Sequence, residues 1–161
     1  MNWEFNGIPL HPLFVHFAVV LVPLAALVTL LAVFWPTARK RLGFVAVLVA
    51  AAALLSAVLS EEAGQWLEER VAETALLEKH VGIAEMLVPW TAGLFFVTLL
   101  HWLWFRYAAR IGARFTALAT PTAQRVIPIV LIILAVVTAV GASIAVVLVG
   151  DSGAQAVWLT R

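Results

Sequence analysis

Two imidazoles stand five residues apart at the mouth of the first apolar run, in Leu10-His11-Pro12-Leu13-Phe14-Val15-His16-Phe17. His16 lies about one turn inside that run, where an unpartnered polar group is costly and a functional role is the default expectation. A neutral imidazole there can ligate haem iron, copper or zinc through one nitrogen while the other donates to an oxygen. His80 opens a later apolar run, and Glu85 lies about 7 Å deeper on the same helix, at 1.5 Å per residue. A transmembrane haem b takes one imidazole above its ring and one below, from different helices, so His16 and His80 are the haem candidates. For another transition-metal ion the candidates are His11, His16, His80 and Glu85. His11 and His16 are about 140° apart around a helix. They do not grip one ion side by side unless His11 lies in non-helical backbone before Pro12.

A reading without a cofactor stays open beside these. In it His11 caps the helix, His16 bonds a neighbouring helix and His80 is solvated at the interface. Glu85, ionised and alone, would be expensive in hydrocarbon; it is protonated, paired with an imidazole, or reaches the interface. Pro89 frees the Glu85 carbonyl, which then needs another donor. His101, between Leu100 and Trp102-Leu103-Trp104, reads as interfacial, and Asp151 as solvated. There is no nucleophile triad, phosphate-cradling glycine loop or pair of catalytic carboxylates, so hydrolytic and transferase chemistry has no support.

The elements that must position these residues are membrane helices. The 161 residues are 64% hydrophobic and 12% charged, with a mean hydropathy of +1.05. Soluble domains are roughly half apolar and a quarter charged. The apolar runs reach about 20 residues, the length that crosses about 30 Å of hydrocarbon. A net charge of +1 gives no basis for nucleic-acid binding. The absence of cysteine excludes disulfides, thiolate metal sites, iron–sulfur ligation and covalent haem attachment. The first dozen residues hold no Lys or Arg and no cleavage site follows, so the first run is expected to be retained.

One membrane domain over 1–161 is expected, with spans at 13–35, 42–60, 81–105 and 126–150. Trp3 and Phe5 suit the interface, and Asn6-Gly7 a turn. Pro12 suits the first helical position. Pro23 removes the bond to Val19 and predicts a kink. The second span repeats Gly43, Ala46, Ala50, Ala53, Ala57 and Ser60 on one face, which lets another helix approach closely. The fourth spaces Ala135, Ala139 and Ser143 four apart. Between them, 61–80 interleaves Glu61, Glu62, Glu68, Glu69, Arg70, Glu73, Glu78 and Lys79 with Trp66, Leu67, Val71 and Leu76, as an amphipathic connector helix on the surface does.

Charge sets the orientation. Arg39, Lys40, Arg41, Arg106, Arg110, Arg114 and Arg125 follow the first and third spans; Arg70, Lys79 and Arg161 lie opposite. Positive residues stay cytoplasmic, so both termini and the acidic connector are expected outside. His11, His16, His80, Glu85 and Asp151 then share the outer end of the bundle, and His101 is alone at the inner end. A site between helices is built by such convergence.

Leu10-His11-Pro12-Leu13-Phe14-Val15-His16-Phe17 resembles the LHPxxVHF signature of a bacterial membrane family known as domain of unknown function 2231. Glu78-Lys79-His80-Val81-Gly82 is similar to that family's segment opening the third helix. Gly150-Asp151-Ser152-Gly153-Ala154-Gln155-Ala156-Val157-Trp158 is similar to its C-terminal GHxGAxxVW-like segment. The resemblance implies a four-helix inner-membrane protein, and redox surroundings, because relatives occur fused to Rieske-type iron–sulfur domains. Two positions depart from the pattern: Ala18 replaces a usual proline, and Asp151 replaces a histidine that many members carry.

The expectation is an all-α integral membrane four-helix transmembrane bundle, N-out and C-out, in the bacterial inner membrane. The leading function is a redox-associated protein holding haem b or a transition-metal ion at the extracytoplasmic face. A redox membrane partner or a second copy of the chain would be its protein contact. A cofactor-free accessory or scaffold subunit is the alternative. A proton or ion transporter using Glu85 is a third class, for which mid-helix Pro23 and Pro89 are the only hints of paired broken helices.

Overall fold

A computed structural model describes residues 3–115 and 118–159, without the side chains of 109–113. Arg161 and the Arg110 side chain therefore lie outside the described residues. The chain enters through a small hairpin, β1 (Glu4–Phe5) paired antiparallel with β2 (Ile8–Pro9). Its turn uses Asn6 at φ 52° and Gly7 at φ 77°. That is the left-handed pair which an Asn-Gly two-residue loop supplies. Leu10 N–H then bonds Trp3 C=O at 2.9 Å, and Trp3 meets Phe14 edge-on at 6.0 Å.

Helix α1 (His11–Phe34) is followed by the short α2 (Pro36–Leu42), with Pro36 at its first position. Next come α3 (Val45–Glu68), α4 (Ala75–Ala84), α5 (Leu87–Arg114) and α6 (Pro121–Trp158). Four stretches are long and apolar enough to cross a membrane: His11–Phe34, Val45–Glu68, Ala75–Ala108 and Pro121–Trp158. Consecutive spans pack side by side and α6 closes back on α1, so α1 faces α5 diagonally. This is an up-down-up-down bundle. The start of α1, the end of α6 and α4 lie at one end, called here the terminal end. The helix α2 and the α5–α6 connection lie at the other, the arginine end.

Small residues make the packing. Ala46, Ala50, Ala53, Ala57, Ser60 and Ala63 of α3 are buried, as are Ala18, Val22, Ala25, Ala26, Thr29 and Ala32 of α1. The stripe expected on the second span is there, except that Gly43 closes α2 at φ 47°. In α6, Ala135 and Ala139 are buried, and Ala142 rather than Ser143 continues the face. The Trp90 ring lies where a Cβ on Gly141 would be, with a ring carbon 2.2 Å from that position. Only glycine lets α5 and α6 meet there. Large apolar side chains such as Phe17, Val20, Leu48, Phe96 and Val147 point outward, as hydrocarbon contact requires.

Several boundaries differ from the sequence reading, and α5 and α6 run on past the expected ends at 105 and 150, to Arg114 and Trp158. Helix α3 runs on to Glu68, so 61–68 belongs to the second spanning helix and only α4 remains of a separate connector helix. Nothing in 61–68 stops a helix: Glu61 and Glu62 cost little where the helix leaves hydrocarbon, and they remove no backbone bond. Helix α4 starts where Thr74 accepts from Leu77 N–H at 3.2 Å, an N-cap. The chain breaks at Glu85–Met86, and Pro89 falls in the first turn of α5, where a missing N–H loses no bond. Helix α6 begins at Pro121, not near Val126, because Thr120 caps it by accepting from Ala123 N–H at 3.2 Å.

At the arginine end, Arg39 fastens α2 to the bundle. Its Nε donates to Ala32 C=O at 2.9 Å and its Nη2 to Val33 C=O at 2.7 Å, satisfying carbonyls that the end of α1 leaves open. The guanidinium lies 3.7 Å from the centroid of the Phe105 ring, a cation–π contact. Burial lowers its pKa from the usual arginine value, and it remains a cation.

Candidate functional site

The terminal end gathers side chains from α1, α3, α4 and α6. His11 is the first residue of α1, and its Nδ1 lies 2.8 Å from Ser60 C=O on α3. A carbonyl only accepts, so His11 Nδ1 carries the hydrogen and Nε2 keeps its lone pair. His80, on α4, has Nδ1 2.9 Å from Ser152 Oγ on α6. Where the Ser152 hydroxyl gives its single proton to Val149 C=O, 3.1 Å away, its oxygen accepts from His80. In that arrangement the His80 Nε2 keeps its lone pair as well.

The two rings are neighbours, with centroids 6.4 Å apart at 70°. Each lies against a glycine. A Cβ at Gly64 would sit 3.0 Å from His11 Cε1 and Nδ1, and one at Gly153 would sit 3.1 Å from His80 Cε1. Two helix backbones thus form the seats on which the rings rest.

The other candidates are placed differently. His16 is exposed on the outer surface of α1, and its Nδ1 bonds the Pro12 carbonyl of its own helix. The structure does not bring it to His80. Glu85 is exposed at the end of α4, within electrostatic reach of Glu61. Asp151 is exposed and accepts from Gln155 Nε2 at 2.7 Å, while its neighbours Ser152 and Gly153 serve His80. Among the described residues no three His, Cys, Asp or Glu side chains form an ion-holding group. Of the four candidates the fold joins two, His11 and His80.

Phase explains the split. Ala18, Ala25 and Ala32 are buried and repeat every seven residues; His11 is one repeat before Ala18. His16 is two residues before Ala18, about 200° away around the helix. That signal was present in the small-residue spacing of the first span. Ser60, Ser152, Gly64 and Gly153 carried no such signal, since what each does depends on a residue in another helix.

His101 is the opposite case. The sequence reading put it at the interface, yet it is 3% exposed. Its ring packs against Phe105 at 4.8 Å, and Arg39 is near enough to act on it electrostatically. Its Nε2 is buried with no hydrogen-bond partner among the described residues. It continues the buried line of Leu87, Thr91, Leu94 and Thr98 on α5, a spacing of three and four that would have revealed it.

The interior between these ends is not a polar path. Thr98 donates to Leu94 C=O at 2.6 Å, which leaves Thr29 to donate to Thr98 across helices at 2.8 Å. Thr91 donates to Leu87 C=O at 2.9 Å and Ser56 to Ala53 C=O at 2.8 Å. Leu94 and Val22 are fully buried between them.

Comparison with known proteins adds the family. The family model described as "Predicted membrane protein (DUF2231)" matches residues 7–161. No curated protein and no solved structure matches the chain.

Proposed function

The chain belongs to this family of predicted membrane proteins, and we propose that its His11–His80 pair binds a transition-metal ion at the terminal end of the bundle. In the cell this end faces outward from a bacterial inner membrane, as the charge bias of the loops favours. The observation that carries the reading is the geometry at Nδ1: His11 Nδ1 lies 2.8 Å from Ser60 C=O and His80 Nδ1 2.9 Å from Ser152 Oγ, so both rings can donate through Nδ1 and keep a lone pair on Nε2. Metal-binding histidines are held in this way, with the second nitrogen donating to an oxygen that fixes tautomer and ring plane. Two imidazoles sharing one ion through bonds of about 2.0–2.1 Å have centroids roughly 5 to 6 Å apart. The observed 6.4 Å lies just beyond that range. Imidazole pairs suit copper, zinc, iron and nickel, with water completing the coordination. The redox surroundings that the family resemblance implies make copper the first ion to test.

An ion fits these residues better than haem b. His16, one of the two haem candidates, faces away from His80. Transport through Glu85 finds no support in an exposed carboxylate and an interior of hydroxyls bonded mostly to their own helices.

The second reading is a scaffold whose histidines are clasps. It is favoured by the same bonds, since His11 ties α1 to α3 and His80 ties α4 to α6. Copper(II) titration of the detergent-purified protein with electron paramagnetic resonance separates the two. The metal reading expects one ion per chain with nitrogen hyperfine structure, lost in His11→Ala and in His80→Ala and kept in His16→Ala and His101→Ala. A protein that binds no stoichiometric ion, yet is destabilised by both substitutions, is the scaffold.

A further inference from the structure

The charges of this chain are separated more completely than orientation in a membrane demands. The arginine end holds Arg39, Lys40, Arg41, Arg106, Arg110, Arg114 and Arg125 and not one carboxylate. All nine Asp and Glu residues belong to the terminal end: Glu4 precedes α1, seven glutamates lie between 61 and 85, and Asp151 is near the end of α6. Acidic residues contribute little to topology, which Lys and Arg decide. Their total exclusion from one end therefore needs a different reason, and a counter-anion supplied from outside the chain is one.

The local structure says which anion. Arg39 is committed to Ala32, Val33 and Phe105 and so holds α2 in place. Lys40 and Arg41 on the same helix are exposed, as is Arg125 in the second turn of α6. Among the described residues the one ion pair, Arg70–Glu69, is at the terminal end. Beside the cations of α2 stand Phe34 at 63%, Trp35 at 59% and Phe44 at 49% exposure. Exposed aromatics in that position belong at the headgroup level of a bilayer. Fixed cations ringed by interfacial aromatics match the phosphate plane of an anionic leaflet, where each basic residue adds attraction that decays within a Debye length.

We propose that the arginine end is a binding surface for anionic phospholipid headgroups, with Lys40, Arg41 and Arg125 as its contacts. This is independent of the metal reading, because it uses no residue of the His11–His80 site. The test reconstitutes the full chain in phosphatidylcholine nanodiscs and replaces part of the lipid with phosphatidylglycerol while thermal unfolding is followed. Phosphatidylglycerol should raise the midpoint, and native mass spectrometry should show retained phosphatidylglycerol whose apparent affinity falls about tenfold or more in Lys40→Gln/Arg41→Gln. Arg125→Gln should give a smaller loss, and Lys79→Gln at the other end should leave retention unchanged. High salt should weaken the effect. An equal midpoint shift from free inorganic phosphate, or from a short oligonucleotide added to neutral nanodiscs, would overturn the proposal. So would a double variant that retains phosphatidylglycerol as wild type does.

Discussion

The two ends of the bundle treat a partly or wholly buried imidazole in opposite ways. At the terminal end His11 and His80 each find an oxygen on another helix, and the two rings are neighbours. At the arginine end His101 is buried against Phe105 near a cation, and among the described residues its Nε2 has no partner. The difference lies in what the neighbouring backbone offers. Where α3 and α6 present glycines and serines, a ring can settle on a backbone and reach an oxygen. Where Arg39 already occupies the open carbonyls of α1, an imidazole behind it finds none left.

Removing the cation that sets up the arginine end gives the largest expected effect. Arg39→Ala leaves two carbonyls unpaired and deletes a cation–π contact, a cost of about 3 kcal/mol. Hydrogen exchange should show faster opening over α2 and the end of α1 while α4 keeps its protection; uniform loosening would mean the ends are not separate. Filling a seat comes next. Gly64→Val places atoms into the His11 ring, and overpacking of this kind costs about 2 kcal/mol. Denaturant titration should show that loss together with weakened copper binding. Gly82→Val is the control, because no atom lies within 4 Å of its Cβ position.

The smallest effects differ in sign. His11→Leu removes the donor to the Ser60 carbonyl and costs about 1 kcal/mol. His101→Leu removes a polar atom that has no partner, so it is neutral or stabilising by about 1 kcal/mol. Measured side by side in one detergent, equal losses at the two positions would erase the contrast.

Much of this architecture was readable from the residues. Four apolar runs announce four spans because backbone groups in lipid must bond within the segment. The alanine stripe of the second span predicted close packing, and Ala46, Ala50, Ala53 and Ala57 deliver it. The arrival of His11 and His80 at one end followed from counting crossings. The end of α3 was not readable, because hydropathy drops at Glu61 although nothing in the backbone ends the helix before Glu68. Thr120-Pro121 was a start signal that the surrounding arginines obscured. Rotation about each helix axis is where composition misled. His16 and His101 were assigned by their depth and neighbours, whereas the phase of buried small residues turns one outward and the other inward.

Central to the proposed metal site is that the neighbouring rings of His11 and His80 are Nδ1–H tautomers, each with a lone pair on Nε2. Nitrogen-15 NMR of histidine-labelled protein in detergent, titrated with zinc, observes those atoms directly. Before zinc, both rings should report protonated Nδ1 and unprotonated Nε2. At one equivalent, the Nε2 signals of these two residues should shift together, with His16 and His101 unmoved. Nε2–H tautomers at His11 and His80, or a zinc-induced shift confined to His16, would contradict the account.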